Sequence, residues 1–442
     1  MGAPLARASL AVKAALLRPR LRADDVRLRA AELRSPTETV AQQQERALAL
    51  ARFAFDHTDF YRTRYEAAGI TRADLADPAV FSSLPIVEKV DLREHGEAFA
   101  VTGTPDKQRL PSSTGGSTGE PLTLFHDRSA PVAAMWWRVY RWWGVDASAN
   151  KGFIQRERRT PGARLKERVE WWPTVSLFLD ARELTEVSMS AFAADWNTHR
   201  PKLLNGYVGG VYEFASFIAR SGTPFSPPTA IGVTAAPTTA SQRRVIEDAL
   251  GAPVYDQYRS AEVPWIAAEC REREGLHVLA DLRLVEIVDE QGDPSALGEI
   301  GDVVVTDLCN TVFPLIRYRL GDRSSLSAAD CRCGLPFARL TPVQGRISDV
   351  LRLPGGALIS GGLTGLFNAR PDAVRQFQIH QHADQSITLR CVRGSASDSA
   401  ALIGRAADEL ASIVGHTVPV RIELVDTIRH DRGKVRVVLS DL

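Results

Sequence analysis

Apolar and polar positions change their period several times along this chain. Residues 36–70 open at Ser35-Pro36-Thr37, run through a Gln/Ala/Arg/Leu-rich stretch to Tyr65 and stop at Gly69. A hydroxyl cap, a proline in the first turn and a terminal glycine predict a helix there. Residues 130–143 return to helical spacing and carry Trp136, Trp137, Trp142 and Trp143. Between 202 and 290, apolar runs alternate with helical stretches. The pattern predicts a buried run before Asn205, helices over 210–220 and 241–250, and strands near 231–233 and 254–255. Strands alternating with helices predict α/β layers. From Leu282 the period shortens to that of paired strands: LRLVEIVD, a turn at Glu290-Gln291-Gly292-Asp293, then IGDVVVTDL. After Gly345-Arg346 comes a compact tail, with strands near 350–353, 375–381 and 386–393, a helix over 397–414, and strands over 419–425 and 435–439. No internal repeat or low-complexity linker interrupts the chain. A boundary near 346–350 leaves a tail of about 95 residues, an ordinary size for an independent domain.

Composition narrows the class. The chain has 442 residues, 44% hydrophobic and 24% charged, which is globular and long enough for two or three domains. Its 54 basic and 53 acidic residues leave a net charge of +1, so charge gives no argument for a nucleic-acid or membrane partner. Residues 1–35 hold Ala/Leu stretches broken by Arg7, Lys13, Arg18, Arg20 and Arg22, and read as an amphipathic helical arm. No apolar window is long enough to span a bilayer. Five cysteines exclude a disulfide scaffold and point to a reducing, cytoplasmic setting. Only seven of the 54 basic residues are lysines, and one of them is Lys434, near the C-terminus. The monomer and the homodimer both stay open.

Candidate chemistry is concentrated in five segments. Ser112, Ser113, Thr114, Gly115, Gly116, Ser117, Thr118 and Gly119 form a loop of glycines and hydroxyls. Such a loop suits a polyphosphate, because backbone N–H groups can turn toward an anion; a flexible linker has the same composition. Tyr258 and Glu262 form a Tyr-x-x-x-Glu pair that could offer a stacking face and a metal-binding oxygen, or merely end a strand. Arg317-Tyr318-Arg319-Leu320-Gly321-Asp322 ends an apolar strand in an aspartate able to accept two hydroxyls, or to cap a plain turn. Gly345-Arg346-Ile347-Ser348-Asp349 sits at the expected boundary, and Gly433-Lys434 lies in a basic turn near the end. Separately, Cys270, His277, Cys331 and Cys333 supply three thiols and an imidazole, a set that matches a closed tetrahedral structural Zn²⁺ site. Unrelated buried thiols are the alternative.

In this order, the five segments resemble the adenylate-forming superfamily, and within it the phenylacetate–CoA ligase branch with its capsule-biosynthesis (CapK-like) relatives. The stretches FYRTRYEAAGI, FSSLPIVEKVDLRE, VYDQYRSAEVPWIAAEC and GKVRVVLSDL extend the likeness over roughly residues 45–442. The resemblance implies a large α/β adenylation domain over 36–346, with layered sheets, helices and a β-barrel-like part. It also implies a small mobile α+β domain over 347–442 that carries the catalytic lysine.

The same resemblance implies roles for particular residues. The loop Ser112 to Gly119 holds the ATP phosphates, Tyr258 lies beside adenine, Glu262 serves Mg²⁺, and Asp322 binds the ribose hydroxyls. Arg346 contacts the nucleotide, Asp349 is the hinge and Lys434 serves adenylation. Tyr207, Ala235, Ala236 and Pro237 border the acyl pocket. The implied reaction activates a carboxylic acid, aromatic by weak preference, as an acyl-adenylate and passes it to an acceptor such as CoA. An amide- or N–N-bond-forming ligase of natural-product or capsular polysaccharide biosynthesis is the alternative, as is a non-catalytic nucleotide-binding paralogue. Three residues depart from the family's pattern: Glu120 stands where a lysine is usual, Arg259 where glycine is usual, and Ala261 where a hydroxyl is usual.

Overall fold

The computed structural model describes residues 3–442 apart from 17, 115–121, 156–160, 182, 239, 344–350, 355–357, 360–362, 364–365, 368–369 and 429–436. Contacts divide the chain into two compact units. One comprises Leu10–Ala147 and Gln257–Val343; the other comprises Met1–Ser9, Ser148–Asp256 and Gln344–Leu442.

In the first unit, the expected helix over 36–70 is two helices, Pro36–His57 and Asp59–Ala67. The break is Thr58, held extended at φ −132°, ψ 141°. Its hydroxyl donates back to the Ala54 carbonyl at 2.8 Å and accepts from the Tyr61 amide, so one residue ends one helix and caps the next. Ser35 and Glu38 close a capping box at the start of the first. The N-terminal arm is likewise divided, into Ala3–Leu16 and Pro19–Ala31, with Pro19 at the first position of the second helix. That second helix buries Leu28 and Ala31 and is tied to the core by Arg138, which is fully buried. Arg138 forks onto Asp281 at 2.6 and 2.9 Å, donates to the Leu28 carbonyl at 2.6 Å and pairs with Glu32 at 3.1 Å.

The antiparallel part of this unit follows the sequence pattern. Arg283–Val288 pairs with Gly301–Asp307, which pairs with Tyr318–Ser324. A separate hairpin joins Arg109–Thr114 to Leu122–Asp127. The end of the strand Val254–Tyr258 pairs with Ala267–Glu269, followed by Leu276–Val278 and Arg339–Leu340.

The second unit holds the α/β layers. Ser176–Asp180, Lys151–Gln155, Leu203–Tyr207, Ala230–Thr234 and the start of Val254–Tyr258 lie side by side and parallel. The helices Glu186–His199, Val208–Ser221 and Ala240–Leu250 separate them along the chain, as the alternating pattern predicts. Ile154, Leu204, Ile231 and Val254 from the strands bury against Trp196, Val211, Phe214 and Ile246. At Gly152 a Cβ would stand 2.3 Å from the Trp196 ring, so only glycine lets that indole reach the sheet.

The C-terminal residues of the same unit form a four-stranded sheet in the order Val420–Leu424, Ile387–Arg393, Val374–Gln381, Val438–Ser440. The helix Ser399–Ile413 packs Leu402, Ala406 and Leu410 onto Ile379, Ile387 and Leu389. Among the described residues, no helix is long and apolar enough to cross a membrane. These mixed layers, with a C-terminal sheet-and-helix element, are the α/β class that the sequence predicts.

Candidate active site

Tyr258 is the last residue of its strand, and Asp322 lies in Tyr318–Ser324. The Tyr258 hydroxyl donates to the Asp322 carboxylate at 2.8 Å, and both residues are buried. A bulge aims the aspartate. The register between Gly301–Asp307 and Tyr318–Ser324 slips between Asp302 and Val304, and Gly321 in the extra stretch has φ +79°. An L side chain rarely adopts that angle, which explains the Gly before Asp322 in physical terms.

The two arginines of the same motif are anchors. Arg317 is buried, pairs with Glu286 at 3.2 Å and donates to the carbonyls of Leu84 (2.6 Å) and Ser82. Arg319 pairs with Glu88 at 2.8 Å and with Asp302. Backbone bonds between Val87 and residues 317 and 319 complete this staple on the segment 82–88. Its effect is to deliver Lys89, the first residue of the short helix Lys89–Glu94, to Glu262, with Nζ 3.6 Å from the carboxylate. Lys89 is a site residue that sequence reasoning missed. Its signal was its rarity, being one of seven lysines, together with its place in the quoted LPIVEKVDLRE segment.

Glu262 is buried and sits in a tight turn, in which the Ser260 hydroxyl accepts from the Val263 amide at 2.8 Å. The preceding carbonyl, that of Ala261, is a junction. It accepts from the Ser112 hydroxyl at 3.4 Å and lies 2.9 Å from His126 Nε2. Ser112 and His126 belong to the two strands of the hairpin whose connection is the Gly/Ser/Thr segment. The hairpin is thus docked on the Glu262 turn through one carbonyl. Burial lowers the His126 pKa from its ordinary 6.5, so the neutral ring donates through Nε2. The backbones of Ser113 and Thr114 continue the strand, while Gly115, Gly116, Ser117, Thr118 and Gly119 lie outside the described residues. So do Glu120, Arg346, Asp349 and Lys434.

Arg259 lies over the rings of Trp136 and Trp265, at 4.6 and 4.9 Å. Those indoles meet edge to face at 4.7 Å. The helix of tryptophans therefore has a local purpose, since it supplies a stacking partner for this guanidinium.

The four sulfur and nitrogen groups also converge. Cys270 Sγ lies 3.7 Å from Cys331 Sγ, and Cys333 Sγ lies 3.3 Å from His277 Nε2. All four candidate ligand atoms fall within 4.8 Å of one another. Zn–S bonds of about 2.3 Å at a tetrahedral angle would place sulfurs about 3.8 Å apart, so the spacing fits the ion. The far nitrogen of His277, Nδ1, lies 2.9 Å from the Phe337 carbonyl, an outer partner that fixes the ring with Nε2 inward. Burial pushes the Cys333 thiol up to about 12 and raises Cys270. A divalent cation among them would reverse that preference. The strand pair Leu276–Val278 and Arg339–Leu340 brings His277 beside the segment that holds Cys331 and Cys333.

In the other unit, Tyr207 ends its parallel strand, and Ala235, Ala236 and Pro237 follow Ala230–Thr234. They share the carboxyl edge of the sheet, where open α/β sheets commonly receive ligands. Ala235 is held at φ +80°, a left-handed conformation that costs an alanine of order 1 kcal/mol or more. Asn205, two residues before Tyr207, is buried with its amide nitrogen unpaired.

No family model matches the chain. It is 25% identical over 361 residues to the phenylacetate-coenzyme A ligase of Thermus thermophilus, covering 77% of each chain. Protein CapK of Staphylococcus aureus is 26% identical over 256 residues, covering 56% of this chain and 54% of that one. The crystal structure of a 2-hydroxyisobutyryl-CoA ligase, in the postadenylation state with an acyl-AMP bound, superposes with a TM-score of 0.76. The match is 20% identical and covers 93% of this chain and 91% of that one.

Proposed function

We infer that this relative of the phenylacetate–CoA ligases, built on the fold of the adenylate-forming ligases, activates a carboxylic acid with ATP and transfers the acyl group to CoA. The observation that carries the reading is the convergence of three motif segments far apart in sequence: Tyr258 bonds Asp322, and the turn that holds Glu262 receives the Ser112 hairpin.

Adenylation requires a substrate carboxylate oxygen to attack the α-phosphorus while the bond to pyrophosphate breaks. Negative charge builds on the phosphoryl oxygens, and fixed cations lower that barrier. In this reading the hairpin loop Ser112 to Gly119 cradles the phosphates, Tyr258 stacks on adenine and Asp322 accepts the ribose hydroxyls. Glu262 would hold Mg²⁺, which supplies charge neutralisation at the phosphates. Its buried carboxylate, balanced by Lys89, suits that task. Lys434 then binds the carboxylate and the α-phosphate, and Arg346 contacts the nucleotide.

In this reading residues 1–35 are an N-terminal arm, 36–346 would act as the adenylation domain, and 347–442 would be a small domain that turns about Asp349 between the half-reactions. In the second half-reaction the CoA thiolate attacks the acyl carbon, forming a thioester and releasing AMP. Tyr207, Ala235, Ala236 and Pro237 border the acid, which we take to be aromatic. Cys270, His277, Cys331 and Cys333 would hold a structural Zn²⁺, closing a loop well away from the reacting atoms in role.

The test is acid-dependent exchange of labelled pyrophosphate into ATP across a panel of aromatic and aliphatic acids. Mass spectrometry of products formed with CoA and with amines completes it. Exchange with one acid class and a thioester product supports the reading. An amide product transfers it to the amide-forming alternative, and no exchange with any acid removes it.

A further inference from the structure

The C-terminal sheet carries a cluster that the ligase reading leaves unused. His380 lies in the strand Val374–Gln381, and His382 follows it two residues later. A strand repeats its faces every two residues, so both imidazoles stand on one face. The parallel neighbour Val438–Ser440 pairs His380 with Leu439, and Asp441 immediately follows it. The Asp441 amide donates to the Gln381 carbonyl at 2.9 Å, which extends the pairing and sets the carboxylate beside the two rings. Ile379 and Gln381, on the opposite face, are buried, and Ile379 packs in the core beneath the helix Ser399–Ile413. The histidine face is therefore the one turned away from the core.

We propose that His380, His382 and Asp441 form an open site for a borderline divalent cation such as Zn²⁺, Ni²⁺ or Cu²⁺. His380 Nε2 is 2.9 Å from Asp441 Oδ2, and His382 Nδ1 is 3.9 Å from the same oxygen. Bonds of about 2.0–2.1 Å at a tetrahedral angle separate ligand atoms by about 3.3 Å, midway between these distances. The site's three donors fall within 4.8 Å of one another. An outer contact orients one of them. His382 turns its other nitrogen, Nε2, to the Thr388 hydroxyl at 2.8 Å, which leaves Nδ1 facing the carboxylate. The nearby Arg390 is engaged by Glu423 at 2.7 Å on the next strand, which tempers its repulsion of a cation. His380 Nδ1 is buried without a hydrogen-bond partner, so its pairing with Asp441 is what holds that ring. Two imidazoles and one carboxylate favour borderline first-row ions over Mg²⁺ or Ca²⁺, which prefer oxygen. Three protein ligands leave further positions for water, so the ion would exchange readily.

Equilibrium dialysis of the full chain against Zn²⁺, compared among wild type, His382→Gln and Asp441→Asn, tests this. A Co²⁺ titration separates the site from the cysteine cluster, because only thiolate ligands give a sulfur-to-cobalt charge-transfer band. The expected result is an additional equivalent bound by wild type without that band, weakened at least about tenfold in each variant. Melting temperatures without added metal should match wild type. Equal metal uptake by wild type and both variants overturns the proposal. So does an additional equivalent that always brings the thiolate band.

Discussion

The Tyr258 hydroxyl donates to the Asp322 carboxylate at 2.8 Å across 64 residues of sequence. This bond fixes the orientation of the group assigned to the ribose. A hydrogen bond to a charged acceptor contributes roughly 1.5–3 kcal/mol. Tyr258→Phe keeps the ring and loses the bond. The expected outcome is a rise of about tenfold in the KM for ATP with kcat within a few-fold of wild type, read by pyrophosphate exchange. An unchanged KM would remove the positioning role.

Lys434→Ala separates chemistry from binding. Removing one electrostatic contact to a developing oxyanion costs about 10²–10³ in rate. Adenylation should fall by that factor while nucleotide binding, followed by calorimetry, changes little. Thioester formation from a supplied acyl-adenylate should persist if the lysine serves the first half-reaction alone, as proposed. Equal loss in both half-reactions would count against the division of labour.

Much of this was legible in the sequence, for identifiable reasons. The strands and helices of 202–290 follow an apolar period that a one-dimensional reading captures. The Thr58 break was hidden because the flanking stretches keep helical composition on both sides, and only the threonine's own hydrogen bonds divide them. Cysteine and histidine spacing gave the sulfur cluster without its geometry. His126 was not legible as a site residue and Lys89 stood out only as a rare residue type, because what places them is pairing between distant segments: Val87 on Tyr318, and the hairpin on Ala261. The arginines of the Arg-Tyr-Arg segment read as part of a functional motif. The structure shows them stapling residues 82–88, and that is what brings Lys89 to Glu262.

Cys331→Ser tests the zinc assignment. Wild-type protein should carry about one chelator-resistant Zn²⁺ per chain, and the variant should lose most of it. A structural site contributes folding energy, so the variant's Tm should fall and its trypsin sensitivity rise between Cys270 and Phe337. Activity per folded molecule should stay near wild type. Metal analysis finding well under one Zn²⁺ in wild type sinks the assignment.

Arg138→Met is expected to be severe. The guanidinium is fully buried, and its removal leaves Asp281 buried without its bidentate partner. Breaking one side of a buried ion pair costs about 3–5 kcal/mol. It also removes the donor to the Leu28 carbonyl, so the arm helix Pro19–Ala31 should gain amide exchange first. Urea denaturation with hydrogen exchange reads both effects. The double change Arg138→Met with Asp281→Leu should recover part of the loss, since no charge is then stranded.

His126 gives the site an acid limit. Its folded-state pKa is lowered, with burial as the main cause, from an ordinary value of 6.5. Between the two values the unfolded chain binds more protons than the folded one, so stability rises with pH there. The contribution is complete above about 6.5 and declines as the pH falls through the lower, folded value. Protonation of the half-buried ring would place a charge in the hairpin that carries Ser112, a burial cost that the bond to the Ala261 carbonyl offsets only in part. Wild-type protein should therefore lose both Tm and apparent ATP affinity as the pH drops below 6.5. His126→Gln keeps an amide donor and cannot titrate, so its Tm should fall less steeply over the same range. Identical acid slopes for the two proteins would show that other groups set the limit.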